Sequence, residues 1–231
     1  MGIAWSMIYP LFFFINYVLV YRFIFKVQFE GLSGWQYIML ILAGLIPALG
    51  FNVVIGTGIN ALSANSGLLK GTLIRPETLP LKSALLCLPN FGVGLVVILA
   101  IGAFGDNLNA TILLVFPLFV LYMMMCTGLL WLLSSLNAIF RDLSQIVTAL
   151  LFPLMIMSPV AYPVERIPEV LRPIMYFNPF YYFVPCFQDV LAMGRLPQAG
   201  IFIPFAMFSI LIFYLGYAVF NKLTAAFLDN V

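Results

Sequence analysis

The sequence contains no histidine and few charged residues. Of its 231 residues, 8% are charged and 64% are hydrophobic, and the formal net charge is +2. An ordinary soluble domain is about 45–50% apolar and about 25% charged, so this chain lacks the polar surface that a folded protein needs in water. The missing histidine removes the commonest general base and metal ligand. The small net charge also argues against a nucleic-acid partner. We therefore expect a protein whose surface faces mostly lipid.

Motifs for catalysis and for nucleotide hydrolysis are also absent from the sequence. The eight carboxylates are scattered over loops and span ends, so no paired-carboxylate site and no metal site is predicted. There is no G-x-x-x-x-G-K-[ST] loop. The three cysteines form no CxxC pair and are expected to be buried thiols. We predict a chain that is not an enzyme and that binds no cofactor itself.

Long hydrophobic runs dominate what is present, and the mean hydropathy is +1.13. A membrane span needs roughly 20 apolar residues, and its backbone must be helical because lipid offers no hydrogen-bond partners. The chain is therefore predicted to be one all-α transmembrane domain, 1–231, with both ends on the same side. The six predicted spans are 3–25, 36–62, 84–104, 110–134, 145–163 and 201–221.

The stretch 170–193 resembles a seventh span but contains Pro173, Pro179 and Pro185. Each proline frees helical carbonyls that lipid cannot satisfy. We therefore predict a Pro-broken pair of short re-entrant helices between the fifth and sixth spans, within residues 164–198. A true span is the less favoured alternative.

The charges in the loops do not decide the orientation, because five Lys/Arg lie on each predicted side. One side has Lys70, Arg75, Lys82, Arg141 and Lys222, and the other has Arg22, Lys26, Arg166, Arg172 and Arg195. No predicted span contains Asp, Glu, Lys or Arg except Arg22 at the end of the first. Ion-coupled transporters usually place such residues within their spans, so we expect either energy from another polypeptide or a passive pathway.

The polar loop 63–83 carries the clearest functional pattern. Its apolar residues would share one side of a short helix lying across the membrane face, and they are Leu68, Leu69, Leu73 and Ile74. The functional interpretation is a docking surface for a cytoplasmic partner, and the alternative is a solvated connection. In the second polar loop, 137–144, Arg141 stands beside Asp142 at the mouth of a span. An ion pair and a helix cap are the structural alternatives to a functional role for these two residues. Gly56-Thr-Gly58 and Gly92-Val-Gly94 are expected at close helix contacts.

Five short motifs follow one another in a known order. They are Gly2-Ile-Ala-Trp5 with Pro10; Asn65-Ser-Gly-Leu-Leu-Lys70 with Arg75-Pro-Glu77 and Leu79-Pro80; Asn137-Ala-Ile-Phe-Arg-Asp142; Ser158-Pro-Val-Ala-Tyr-Pro163; and Asn178-Pro179. Together they resemble the ABC-2 type permeases, most closely those exporting O-antigen, capsular polysaccharide, teichoic acid and lipo-oligosaccharide. The resemblance covers essentially the whole chain.

This resemblance implies a homodimer of six-span subunits in the bacterial inner membrane, with cytoplasmic N- and C-termini. Two ATP-binding cassette subunits would hold ATP and Mg²⁺. The loop between the second and third spans, 64–80, would be the coupling helix that fits a cleft on the ATPase. Its candidate residues are Asn65, Leu68, Leu69, Lys70, Arg75, Pro76 and Glu77.

The resemblance also places two further groups of residues. Gly2, Phe140, Arg141 and Asp142 would lie at the cytoplasmic channel entrance. Pro159, Tyr162, Pro163, Asn178 and Pro179 would form an outer re-entrant gate. Such permeases usually begin with a basic, amphipathic interfacial helix, whereas this sequence starts at the turn after it. A misassigned start, a fragment and a shortened variant are the alternatives, and a truly missing helix would remove part of the ATPase contact.

Aromatic residues make up 16% of the chain and suit a sugar cargo. Trp5, Tyr9 and Phe12 share one helix face by their spacing, so they are predicted to line the channel, with packing against lipid or another helix as the alternative. The predicted function is the membrane subunit of an exporter of a lipid-linked polysaccharide or oligosaccharide. The alternatives are an ABC-2 exporter of a lipid or drug and, from another class, an ATP-independent channel or secondary transporter.

Overall fold

The part of the chain that the structure describes is helical and contains no strand, as the sequence predicted. The computed structural model describes the backbone of residues 2–24, 32–67, 75–105, 109–162, 164 and 167–228, and the side chains within these ranges except at 2–7 and 225–228. The helices are α1 (Gly2–Val18), α2 (Gly34–Gly58), α3 (Thr78–Ala84), α4 (Leu88–Phe104), α5 (Val115–Ile139), α6 (Leu143–Met157), α7 (Arg172–Met175), α8 (Phe180–Leu191) and α9 (Ala199–Leu228). A π-helix, Leu19–Ile24, continues α1, and 3₁₀ helices occupy Ser63–Asn65, Leu85–Cys87 and Ala110–Leu114.

Four helical stretches within these residues are long and apolar enough to cross a membrane. They are Gly34–Gly58, Thr78–Phe104, Ala110–Ile139 and Ala199–Thr224. They fall at the second, third, fourth and sixth predicted spans. At the first and fifth predicted spans lie the shorter apolar helices Ile8–Ile24 and Leu143–Met157. These lengths and compositions are those of a multi-pass membrane protein.

Two of the helix boundaries that differ from the predicted spans lie close to a proline. The third helical stretch begins at Thr78, six residues before the predicted start, because the Thr78 backbone N–H and hydroxyl both donate to the carbonyl of Arg75. Pro80 then lies in the first turn, where a missing N–H costs no helical hydrogen bond. The helix α6 ends at Met157 because Pro159 disfavours helical geometry at Ser158.

The chain forms two compact units. Unit 1 comprises Met1–Gly50, Leu88–Leu118 and Leu154–Pro204. In it α1 packs against α4, and Phe91 on α4 contacts Phe187 on α8 with ring centroids 5.6 Å apart. Eleven of the twelve residues of α8 are buried. A short helix buried so completely can hold polar side chains that would be unstable in lipid.

Unit 2 comprises Phe51–Cys87, Phe119–Pro153 and Phe205–Val231. Its central hydrophobic cluster consists of Ala61, Leu62, Leu79, Trp131, Ala138 and Phe220. The Trp131 ring also contacts Phe213 and Tyr217, with centroids 5.2 and 5.1 Å away. This cluster therefore joins α5, α9 and the two sides of the loop that separates α2 from α3.

Glycines allow close helix contacts in both units. A Cβ on Gly94 would lie 2.4 Å from Ile46 Cγ1, and one on Gly58 would lie 2.7 Å from Leu130 Cδ2, so the predicted close approach is confirmed at both positions. The prediction is wrong at Gly92, where a Cβ would meet nothing within 4 Å. A still tighter approach was not predicted: a Cβ on Gly216 of α9 would lie 2.1 Å from the carbonyl oxygen of Gly128 on α5.

Candidate functional site

The predicted coupling loop, 64–80, is described at both of its ends. At its start Asn65 is partly buried, and its Nδ2 donates to the carbonyl of Ala61 at 2.7 Å. This bond closes the turn that follows α2. The predicted contact residues Leu68, Leu69 and Lys70 lie outside the described residues. Their assignment stays a prediction.

The other end of the coupling loop is held by Trp131 of α5. The Trp131 indole Nε1 donates to the carbonyl of Glu77 at 3.0 Å. Pro76 and Glu77 are partly buried there, whereas Arg75 is exposed. Neither the Arg75 nor the Glu77 side chain forms an ion pair with another described residue. The end of the loop is thus fixed by a hydrogen bond. Its two charged side chains, Arg75 and Glu77, form no ion pair within the described residues.

The predicted entrance turn, 140–142, lies on the surface between α5 and α6. Phe140 is 64% exposed, and Arg141 and Asp142 are also exposed. Backbone bonds from Leu143 to Phe140 and from Ile146 to Asp142 close the turn. Arg141 and Asp142 form no ion pair with each other, so that structural alternative is wrong. Gly2 begins α1 in unit 1, and its place at the entrance stays a prediction.

Asn137, near this turn, is a buried polar residue of α5 with hydrogen-bond partners on two other segments. It is 3% exposed on α5. Its Nδ2 donates to the carbonyl of Ile59 at 3.3 Å and to Asn60 Oδ1 at 3.1 Å, just after α2. Its Oδ1 accepts the backbone N–H of Ser144 at 2.9 Å, in the first turn of α6. One amide therefore joins α2, α5 and α6.

Two of the predicted gate motifs meet within unit 1. Asn178 is 1% exposed, and its Nδ2 donates to the carbonyl of Leu154 at 2.8 Å and to Ser158 Oγ at 3.1 Å. Its Oδ1 accepts the backbone N–H of Phe180, at the start of α8. Pro179 precedes α8 directly, and Pro159 is buried beside Ser158. Pro163 lies outside the described residues.

Tyr162 closes the end of α6 and borders a cavity. Its hydroxyl donates to the carbonyl of Met157, one of the helix-end carbonyls that have no intrahelical partner. The cavity, about 270 Å³, is lined mostly by apolar side chains: Met157, Tyr162, Ile167, Pro168, Leu171 and Met175.

Gln188 of α8 forms hydrogen bonds to α2 and to the segment that follows α6. It is 5% exposed. Its Nε2 lies within hydrogen-bond distance of three carbonyls, those of Leu40 at 3.3 Å, Pro159 at 3.1 Å and Val160 at 2.9 Å. Leu40 belongs to α2, and the other two follow α6. Gln188 thus supplies donors to carbonyls in a buried part of unit 1.

Asp189, the next residue, holds the connection from α8 to α9. Its Oδ1 accepts a hydrogen bond from Arg195 Nε at 2.7 Å, and its Oδ2 accepts the backbone N–H of Gln198 at 3.3 Å. The Asp189 side chain is buried, while Arg195 is about half exposed. A buried carboxylate is tolerated here because a guanidinium and a backbone N–H compensate it.

Comparison with known proteins assigns the family of this chain. The family model of ABC-2 type transporters matches residues 72–192, just over half of the chain. The chain belongs to the ABC-2 type transporter family. It is 26% identical to the O-antigen export system permease protein RfbA of Myxococcus xanthus, covering 100% of this chain and 88% of that protein. The same-named protein of Klebsiella pneumoniae is 24% identical, covering 99% and 87%. The polysialic acid transport protein KpsM of Escherichia coli is 23% identical, covering 83% and 75%.

The ABC-2 match contains most of the polar anchors described above. It begins inside the coupling loop and ends just after α8, so it includes Glu77, Trp131, Asn137, Asn178 and Gln188. The predicted family is therefore confirmed, together with its location in the membrane as a multi-pass protein. The roles of the individual residues remain predictions.

Three ABC-2 anchors had no role in the sequence analysis. Asn137 stood within a quoted motif, and Trp131 and Gln188 were not singled out. A polar residue within an apolar run signals a buried hydrogen-bond network, and Gln188 next to Asp189 in the sequence PCFQDV carries that signal. The partners of Gln188 lie 28 to 148 residues away, so the sequence could not name them.

The predicted channel aromatics are only partly described. Tyr9 and Phe12 of α1 are 42% and 64% exposed, and the Tyr9 ring contacts Phe13 with centroids 4.9 Å apart. The side chain of Trp5 lies outside the described residues. The exposed face of α1 is thus available to lipid, to a second subunit or to cargo, and its place in a channel stays a prediction.

Proposed function

We propose that this ABC-2 chain is the membrane subunit of an ATP-driven exporter that moves a lipid-linked polysaccharide or oligosaccharide outward across the bacterial inner membrane. The printed functions of its relatives, O-antigen export and polysialic acid transport, support this cargo class. The similarity to the first of these covers 100% of the chain. ATP and Mg²⁺ would be held by a separate ATP-binding cassette subunit in two copies, with no cofactor on this chain.

The observation that carries the proposal is the construction of the coupling loop. Its ends are fixed by Asn65 and by Trp131, while Arg75 between them is exposed. A loop with a rigid base and a charged surface can receive force from a docked partner without unfolding. We propose that the ATPase contacts Asn65, Leu68, Leu69, Lys70, Arg75, Pro76 and Glu77.

The proposed topology has six spans, with the shorter helices α1 and α6 as the first and fifth. The N- and C-termini are cytoplasmic, and two copies of the chain form the channel. Between the fifth and sixth spans, α7 and α8 form the re-entrant pair. The near-complete burial of α8 supports this arrangement, because a re-entrant helix must be shielded by protein.

The remaining predicted residues have proposed places along the transport path. Phe140, Arg141 and Asp142 would border the cytoplasmic entrance with Gly2. The Asn178 and Tyr162 contacts would hold the outer gate together with Pro159, Pro163 and Pro179. Tyr9 and Phe12, with Trp5, would offer ring faces to sugar units inside the channel.

Co-purification and a deletion strain test this function. The full-length chain is expected to copurify with the ATP-binding subunit encoded nearest to it, and deletion of its gene is expected to remove a surface glycan. Unchanged surface glycan with lowered drug tolerance would favour a lipid or drug exporter instead. Transport that follows an ion gradient and ignores ATP depletion would contradict both and favour a channel or secondary transporter.

Reversing the charge of the coupling loop is expected to uncouple transport from ATP hydrolysis. In Arg75→Glu and Glu77→Lys the helices around the loop are unchanged, because neither side chain forms an ion pair within the described residues. We expect normal membrane insertion, and a fall of about fivefold or more in ATPase stimulation and export, since a charge at a docking interface affects affinity and association. Stimulated ATPase activity of the reconstituted complex measures this.

The matched control is Lys222→Glu, which reverses an exposed charge near the end of α9, outside the loop. It is expected to leave stimulation unchanged. Equal stimulation of ATPase activity by all three variants and by the unaltered protein would show that Arg75 and Glu77 are not part of the docking surface.

A further inference from the structure

Asn137 is hydrogen-bonded to residues beside two proposed cytoplasmic sites, the coupling loop and the entrance turn. The coupling loop, 64–80, follows α2, and the entrance turn, 140–142, joins α5 to α6. Asn137 donates to Ile59 and Asn60 just before the loop, and it accepts from Ser144 just after the turn. All of these residues belong to unit 2. A single buried side chain therefore touches the flanks of both sites.

The chemistry of the amide explains why this position needs asparagine. Ile59 and Asn60 offer oxygen acceptors, whereas Ser144 offers a backbone N–H donor. Only a side chain with both donor and acceptor groups can satisfy the two kinds of partner at once. At 3% exposure, water cannot easily replace a bond that breaks. The three partners must therefore keep their spacing to Asn137 when any one of them moves.

The same helix also holds the far end of the coupling loop. Trp131 and Asn137 are six residues apart on α5, about 9 Å along its axis at 1.5 Å per residue. Trp131 binds the carbonyl of Glu77, and Asn137 binds Ile59 and Asn60. The C-terminal part of α5 is thus hydrogen-bonded to the chain on both sides of the coupling loop. The first turn of α6 is bonded to the same part of α5 through Ser144.

We propose that Asn137 is a positioning residue that transmits movement of the coupling loop to the entrance turn. A partner pushing on the loop displaces Ile59 and Asn60, Asn137 follows them, and the N-terminal turn of α6 moves with its Oδ1. The entrance turn, 140–142, lies between Asn137 and Ser144 in the sequence and is displaced with them. This inference rests on the proposed function for the source of the movement, but the linkage itself is a property of this chain alone.

Hydrogen exchange on the full chain in lipid nanodiscs, without any partner, tests the linkage. In Asn137→Ala, amide exchange is expected to become about fivefold faster in both flanks, 59–67 and 143–147, because a hydrogen bond of typical net strength is lost at each. Asn60→Ala removes one acceptor at a partly buried position and is the milder second variant, expected to act in the same direction. The double variant is expected to exchange no faster than Asn137→Ala.

Asn90→Ala is the matched control. Asn90 is equally buried, at 5% exposure, and its Nδ2 donates to the carbonyl of Ile46 at 2.6 Å within unit 1. It is expected to leave exchange in 59–67 and 143–147 unchanged. Faster exchange in only one flank of Asn137→Ala, or equal changes in Asn90→Ala, would overturn the linkage.

The reconstituted complex then separates positioning from simple stability. In Asn137→Ala we expect ATP hydrolysis to persist while glycan exported per ATP falls about tenfold, within the range typical of coupling between two sites. Asn90→Ala is expected to keep the ratio of export to hydrolysis. An unchanged ratio in Asn137→Ala would overturn the inference while leaving the proposed function intact. A complex of the unaltered chain that exports nothing with ATP would overturn the proposed function, and the exchange experiment would still decide the linkage.

Discussion

Gly216→Leu is expected to lower the free energy of unfolding by about 3 kcal/mol, the upper end of the usual range for overpacking. At this position α9 meets α5 backbone to backbone. A Cβ on Gly216 would lie 2.1 Å from the Gly128 carbonyl oxygen, and a Cβ on Gly128 would lie 2.4 Å from that of Ile212. Backbone atoms cannot rotate away as a flexible side chain can, so the helices must separate. In a membrane, packing of this kind replaces much of the hydrophobic driving force.

The control is Gly92→Leu, which places the same side chain in the interior of α4. A Cβ there meets nothing within 4 Å, and Gly92 is exposed. Stability is expected to stay the same or to rise slightly, because leucine has the higher helix propensity. Unfolding in a titration of detergent mixtures, followed by far-UV circular dichroism, compares the two. Equal unfolding midpoints would show that α5 and α9 do not cross at these glycines.

Gln188→Leu is expected to release α8 from its neighbours with little change in side-chain volume. The carbonyls of Pro159 and Val160, beyond the end of α6, lose a shared donor, and a buried acceptor left unsatisfied costs about 1–3 kcal/mol. Gln188→Glu keeps the shape but replaces the two N–H donors by one O–H donor at most, and burial penalises its ionised form, so we expect it to be damaging too. That comparison separates the lost hydrogen bonds from lost packing. Export is expected to fall in both variants.

A natural reporter for this release lies two residues away. Cys186 is a free thiol with 1% exposure on the same helix. Labelling by a maleimide, located by peptide mapping, is expected to rise more than about tenfold in Gln188→Leu as the helix opens. The control is Gln198→Leu, because only the backbone N–H of exposed Gln198 bonds to Asp189. Protected Cys186 in Gln188→Leu would contradict the anchoring role.

The sequence predicted those features of the fold that a single segment determines. Lipid forces apolar runs of sufficient length to be helical, so the helices at the second, third, fourth and sixth predicted spans follow from hydropathy. Two short helices, α7 and α8, do lie within 170–193, but Pro185 stands inside α8 and does not break it. That the two helices are re-entrant stays a prediction. The family followed from motif order and is confirmed by the match over 72–192.

Contacts between distant segments were harder to predict. The Ser158 and Asn178 motifs were assigned to one site only by resemblance, and the structure joins them through a hydrogen bond of 3.1 Å. The approach of Gly128 to Gly216 has no local signature, because neither glycine belongs to a G-x-x-x-G pair. Helix ends were misplaced at Thr78 and Met157 because hydropathy does not register hydrogen bonds at the ends or the effect of proline.

The central claim is that this chain is driven by ATP hydrolysed on another subunit, and transport in sealed vesicles tests it most directly. The chain is reconstituted with its ATP-binding subunit, either intact or with the phosphate-binding lysine of that subunit replaced, and a lipid-linked glycan is supplied on the nucleotide side. We predict that the glycan reaches the opposite side only with ATP and the intact subunit. Equal transport with the inactive subunit, or transport that follows an ion gradient without ATP, would contradict the account.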